Sequence, residues 1–177
     1  PKNAANGQVS VTVKGVTRTN IFTTVAPKQY GNTAISGYGV NPSSLIEYID
    51  VNGFRFSQAY AAIAFLFLGK LNTQYTLSFK YKCEGNTARA SVFNNHDENA
   101  ISNVVVNIPI LTVGTDVMTV TFTTDDTGQI KIAFGTSADN TLLEVTEIML
   151  EEGSTVGNFI SNGTKSTISA FRIRSVS

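Results

Sequence analysis

The sequence predicts an all-β domain, a jelly-roll β-sandwich of two antiparallel sheets, and three observations point there. Apolar and polar residues alternate with period two wherever the chain is not loop-like. Clusters of turn-forming residues separate these runs at short intervals. Only 15% of the 177 residues are charged, while Ser, Thr and Asn supply about 30%. That composition suits strands with polar, hydrogen-bonding faces and disfavours a helical bundle rich in Glu, Lys, Ala and Leu.

The elements follow in order. Gln8 to Val13 places Val9, Val11 and Val13 on one strand face. Ala61 to Leu68 is apolar on both sides; its length, the bounding Gly69 and the alternation of Ile63, Phe65 and Phe67 predict a fully buried strand, with a short helix as the alternative its alanines leave open. Tyr75 to Tyr81 sets Tyr75, Leu77, Phe79 and Tyr81 opposite Thr76, Ser78 and Lys80. Ala90 to Phe93, Val117 to Thr123 and Ile130 to Phe134 are further short strands. Leu142 to Leu150 changes phase part-way, as a bulge would require. Turn signals fall at Asn52-Gly53, Glu84-Gly85-Asn86, Asp125 to Gly128 and Ala138-Asp139-Asn140. One side of these strands being polar, two sheets must pack face to face.

The inventory excludes several functions. Thirteen basic and thirteen acidic residues cancel, which gives no general field for nucleic acid or an anionic membrane. Cys83 is the single cysteine and His96 the single histidine, so neither an internal disulfide nor a histidine- or thiolate-rich zinc site can form within one chain. The apolar run from Ala59 to Leu68 is far short of the roughly 20 residues that cross a bilayer, so no membrane insertion is expected. The first residues lack both methionine and a signal pattern, and are read as a processed or excised piece of something larger.

The stretch Ile148-Met149-Leu150-Glu151-Glu152-Gly153-Ser154-Thr155-Val156-Gly157-Asn158-Phe159-Ile160-Ser161-Asn162 resembles the ending of carbohydrate-binding-module-like jelly rolls, a strand followed by Leu-Glu-x-Gly-x-x-x-x-x-Trp-x-x-Asn. Gly69 to Phe79 is similar to the Gly-Lys-x-Tyr-Thr-Leu-Ser-Phe strand of that family, and Val120 to Thr123 with Thr127 to Ile130 to its late hairpin. The flanks, Val11 to Ile21 and Asn162 to Thr167, resemble the framing of such modules in tail, baseplate and fibre proteins of phages that infect Gram-positive bacteria. The resemblance implies a jelly roll over residues 16–162, with 1–15 and 163–177 as connecting strands. It further implies attachment to a host cell-surface saccharide, other tail or baseplate proteins as partners, a homo-oligomer in the parent assembly, and a place in the virion, extracellular when acting. Phe159 stands where relatives commonly carry Trp, and the chain has no Trp.

Sugar recognition needs aromatic faces for C–H patches and amides, carboxylates or guanidinium groups for hydroxyls. The candidate ligand-binding residues are Tyr38, Tyr48, Arg55, Asn94, Asn95, His96 and Asp97. Tyr30, Tyr38 and Tyr48 lie in an irregular region with Asn32, Asn41 and several glycines, and core packing is the alternative for each tyrosine. Arg55 stands between Phe54 and Phe56; the plainer alternative sends both rings into the core and leaves Arg55 solvated. Asn94-Asn95-His96-Asp97-Glu98-Asn99 is the densest polar loop, suited to hydroxyls, to calcium through Asp97 or Glu98, or to an ordinary turn. No cofactor is expected beyond the structural calcium that some family members hold, for which the resemblance offers Glu144 and Glu147. No carboxylate pair distinguishes itself as a glycosidase pair, so a non-enzymatic module is expected. Its rivals are a structural or oligomerising tail module and an accessory module of a secreted glycoside hydrolase.

Overall fold

The computed structural model describes residues 18–30, 46–96, 104–154, 157–162 and 165–166. Their strands are β1 (Arg18–Thr19), β2 (Lys28–Tyr30), β3 (Ile46–Asp50), β4 (Gly53–Phe56), β5 (Ala62–Leu68), β6 (Gln74–Glu84), β7 (Ala88–Phe93), β8 (Val104–Asn107), β9 (Gly114–Thr123), β10 (Gln129–Thr136), β11 (Leu142–Glu152) and β12 (Lys165–Ser166). No helix occurs among the described residues. Sheet one runs β2-β5-β10-β7-β8 and sheet two β3-β4-β11-β6-β9, all neighbours antiparallel. A separate antiparallel pair joins β1 to β12. The expected strand from Gln8 to Val13 lies outside the described residues.

The period-two pattern becomes the interior. From sheet two come Phe54, Phe56, Leu77, Phe79, Leu143, Val145, Ile148 and Leu150; from sheet one come Ile63, Phe65, Ile130, Ile132 and Phe134, all buried in one cluster. Phe54 bridges the sheets, its ring centroid 5.4 Å from that of Phe65 and 5.2 Å from that of Phe134. Phe22 closes one side at 5.1 Å from Phe65. Tilted and edge-to-face rings at these distances add to the burial gain, about 1.5–3 kcal/mol for each large apolar side chain. Cys83 belongs to the same cluster, and burial pushes its thiol up, so it serves as a small core hydrophobe.

The ambiguous apolar run is a strand, β5, paired on both sides by β2 and β10. Its alanines do not signal helix; Ala62 and Ala64 face away from the interior and pack with Ala133 and Phe93 in a small second cluster. The turn signals also hold. Asp125 Oδ1 accepts hydrogen bonds from the Thr127 amide at 2.8 Å and hydroxyl at 2.6 Å, which keeps its carboxyl below the usual carboxylate range.

The expected phase change in β11 is a bulge. Thr146 pairs with Lys80 and Met149 with Ser78, so two residues, Glu147 and Ile148, face one residue of β6. Glu147 takes the extra position with φ 49°, left-handed backbone for a non-glycine residue. The break comes beside the Asp50–Gly53 turn, where β4 begins, with the Ile148 amide donating to the Asn52 carbonyl at 3.0 Å. Ile148 thereby returns to the core while Met149 turns outward.

Candidate functional site

Residues 157–162 cross the outer face of sheet two as a strap, and asparagines hold it there. Asn20 and Asn52 are each 1% exposed, so every polar atom needs a partner. Asn20 Nδ2 donates to the carbonyls of Ile148 and Ile160, both at 2.9 Å, while its Oδ1 accepts from the amides of Phe22 and Leu150. Asn52 Nδ2 donates to Phe22 and Ile148, and its Oδ1 accepts from the Asn162 amide at 2.9 Å and the Ser161 hydroxyl at 3.2 Å. Asn162 returns a bond from Nδ2 to the Asn20 carbonyl at 3.1 Å. The asparagine that closes the ending motif is therefore a fastener.

Arg18 is the second fastener. Its Nη2 lies 2.5 Å from Oε2 of Glu151, a carboxylate only 4% exposed, and its Nη1 donates to the Asn158 carbonyl at 3.1 Å. A methyl group at Gly157 would overlap the Arg18 guanidinium, so the strap approaches this closely because residue 157 has no side chain.

Strap and sheet border an open pocket of about 170 Å³. Its lining includes Phe159, 39% exposed, the exposed Val117 of β9, and the buried Ser78 and Met149. Lys80 of β6 and Glu147 of the bulge supply the charges, Nζ to Oε1 at 2.7 Å, both partly exposed. Bulges re-aim side chains, and a non-glycine residue held in left-handed backbone costs about 1–3 kcal/mol. Here that distortion sets a carboxylate at the mouth of a pocket beside an aromatic ring.

Of the residues singled out from sequence, the described ones lie in separate places: Tyr48 on β3, Arg55 on β4, and Asn94, Asn95 and His96 after β7. Tyr38 and Asp97 lie outside the described residues, as do Asn32 and Asn41; of Tyr30 only the backbone, in β2, is described. Tyr48 sits on the edge strand β3 with Lys28 Nζ 3.8 Å from its ring centroid, so a cation already covers one face. Arg55 projects from the outer face of sheet two between Glu47 at 2.7 Å and Glu144 at 3.8 Å, while Phe54 and Phe56 enter the core. Asn94 to His96 lie at one end of the sandwich. Asn94 Nδ2 donates to the Thr123 carbonyl at 3.2 Å, Asn95 is buried, the His96 amide donates to Gln129 Oε1 at 3.0 Å, and His96 Nε2 donates to the Phe67 carbonyl at 2.8 Å. Lys80, Ser78, Val117 and Met149 escaped notice in the sequence because each looks like an ordinary strand residue.

No family model matches the chain, and no curated protein matches it in sequence. Solved structures do. A structure described as CBM4, a carbohydrate-binding module, shares 16% identity over 71% of this chain and 86% of its own, with a TM-score of 0.53. The fold is a carbohydrate-binding-module-like jelly roll. The CBM22-1 xylan-binding domain of Paenibacillus barcinonensis Xyn10C matches 80% of this chain and 95% of its own at 8% identity and TM-score 0.48. The enzymatically active domain of tailspike protein 4 of bacteriophage CBA120 matches 82% of this chain and 20% of its own at 19% identity and TM-score 0.44.

On this jelly roll the pocket combines an aromatic wall, an aliphatic rim, one hydroxyl and a donor–acceptor pair, the chemistry that receives a ring with C–H faces and hydroxyl edges. Of the calcium candidates, Asp97 and Glu98 lie outside the described residues. No group of three or more His, Cys, Asp or Glu converges among the residues described. The two carboxylates the resemblance offered are each engaged by a cation, Glu144 by Arg55 and Glu147 by Lys80.

Proposed function

We propose that this domain is a non-enzymatic saccharide-binding module that holds a sugar in the strap pocket of sheet two. The carrying observation is that the exposed Phe159 ring lines one pocket together with Val117 and the Lys80–Glu147 pair. Among the described lining residues Glu147 is the one carboxylate, and it is ion-paired; hydrolysis of a glycosidic bond ordinarily uses two carboxyl groups flanking it. Fold and ending motif together support the saccharide as ligand.

The motifs that resemble phage tail and baseplate modules support a finer reading: attachment to saccharides of a bacterial host surface, in a virion, beside other tail proteins. Several copies on one particle would turn a modest single-site affinity into firm attachment, since linked sites gain avidity without new contacts. The neighbouring domains of the parent protein separate this role from that of an accessory module of a secreted glycoside hydrolase. Titration calorimetry with cell-wall polysaccharide of Gram-positive bacteria tests the binding role. Heat of binding is expected for the wild type and its loss for Phe159→Ala; silence of the wild type would leave a structural module.

A further inference from the structure

On the footing of the saccharide role above, we propose that the strap pocket selects an N-acetylated amino sugar, one residue at a time. Size comes first. Pockets for drug-sized ligands run to about 300–1,000 Å³, and this one, at about 170 Å³, is on the scale of a single ring with one substituent.

Polarity comes second. Phe159, Val117 and Met149 present carbon to the space, against Ser78, Lys80 and Glu147. The hydroxyl that a hexose carries where an amino sugar carries its acetamido group would meet Met149 on the pocket lining, where it gains no partner. An acetamido group meets this lining better. Its methyl lies against the aliphatic rim, its carbonyl accepts from Lys80, and the neighbouring ring hydroxyl donates to Glu147. The last two need an acceptor and a donor side by side, matching a cation and an anion 2.7 Å apart. An ammonium has three donors and a carboxylate about four acceptor positions, so both keep capacity for a ligand while remaining paired.

Calorimetry or ligand-observed NMR with N-acetylglucosamine, N-acetylgalactosamine, glucose, galactose and glucosamine provides the test. The acetylated sugars are expected to bind about tenfold more tightly than the parent hexoses, a difference of about 1.4 kcal/mol. That preference should collapse in Val117→Ser, a change on an exposed strand that leaves the melting curve in place. Equal binding of glucose and N-acetylglucosamine would overturn the acetamido selection while leaving saccharide binding intact. Failure of all five sugars, or binding that survives Phe159→Ala unchanged, would overturn both the selection and the pocket's role.

Discussion

Sheets one and two share an interior and differ on their outer faces. On sheet one the outward residues Ala62, Ala64, Ala133 and Phe93 are between 0% and 3% exposed, and Lys131 lies with its Nζ 4.5 Å from the Phe93 ring centroid. On sheet two the outward residues include Arg55, Lys80, Lys82 and Glu144, tied into ion pairs at the surface, and the strap leaves a pocket among them. The inward halves of both sheets obey one rule, apolar residues at every second position, and so report only the fold. The outward halves obey no common rule, and there the molecule places its chemistry.

The comparison can be broken first at what the sheets share. Phe65→Ala removes the ring lodged between Phe22 and Phe54 and is expected to cost about 3–5 kcal/mol in urea unfolding. A loss below about 1 kcal/mol would mean that the sheets are not clamped through these rings. Next comes the strap. Arg18→Ala strands the buried Glu151 carboxylate; because Arg18 itself is 23% exposed, the cost belongs at the low end of the range for broken buried pairs, about 3 kcal/mol. Saccharide affinity should fall with it, and a variant that keeps full affinity would detach the pocket from the strap.

Smaller effects sharpen the contrast. Phe159→Ala should change stability by less than about 1 kcal/mol, because the ring is already partly exposed, while weakening saccharide binding about tenfold, the scale of one lost aromatic contact. A large stability loss in thermal melts would make Phe159 a packing residue. The smallest effect belongs to Arg55→Ala. Both of its ion pairs are at the surface, so stability should move by about 0.5 kcal/mol or less and calorimetric affinity not at all. A clear loss of binding there would move the site across the sheet, away from the strap.

The fold was legible because a strand face repeats every second residue and needs no knowledge of distant partners. The alternation of Tyr75, Leu77, Phe79 and Tyr81 is local, and so is the phase change that becomes the Glu147 bulge. The site was not legible in that way. Asn20, Asn52 and Asn162 meet across more than a hundred residues of chain, and nothing in their local surroundings marks them as a network. Lys80 reads as one more polar position on a strand, and only the bulge on β11 brings Glu147 beside it. Tyr48 drew attention as an aromatic platform, yet Lys28, from the facing sheet, sits on its ring. Phe159 stands out in the sequence only as a departure, the residue found where relatives commonly carry Trp, and nothing local shows what it lies beside.

The most direct measurement is an amide-resolved NMR titration of the isotope-labelled domain with saccharide fragments released from Gram-positive cell walls. The expected shifts fall on Ser78, Lys80, Glu147, Gly157 and Phe159, with Arg55, Asn94 and His96 unmoved. Shifts gathered on Ser91, Asn94 and His96 at the other face and end of the sandwich, or none at all, would contradict a saccharide site beneath the strap.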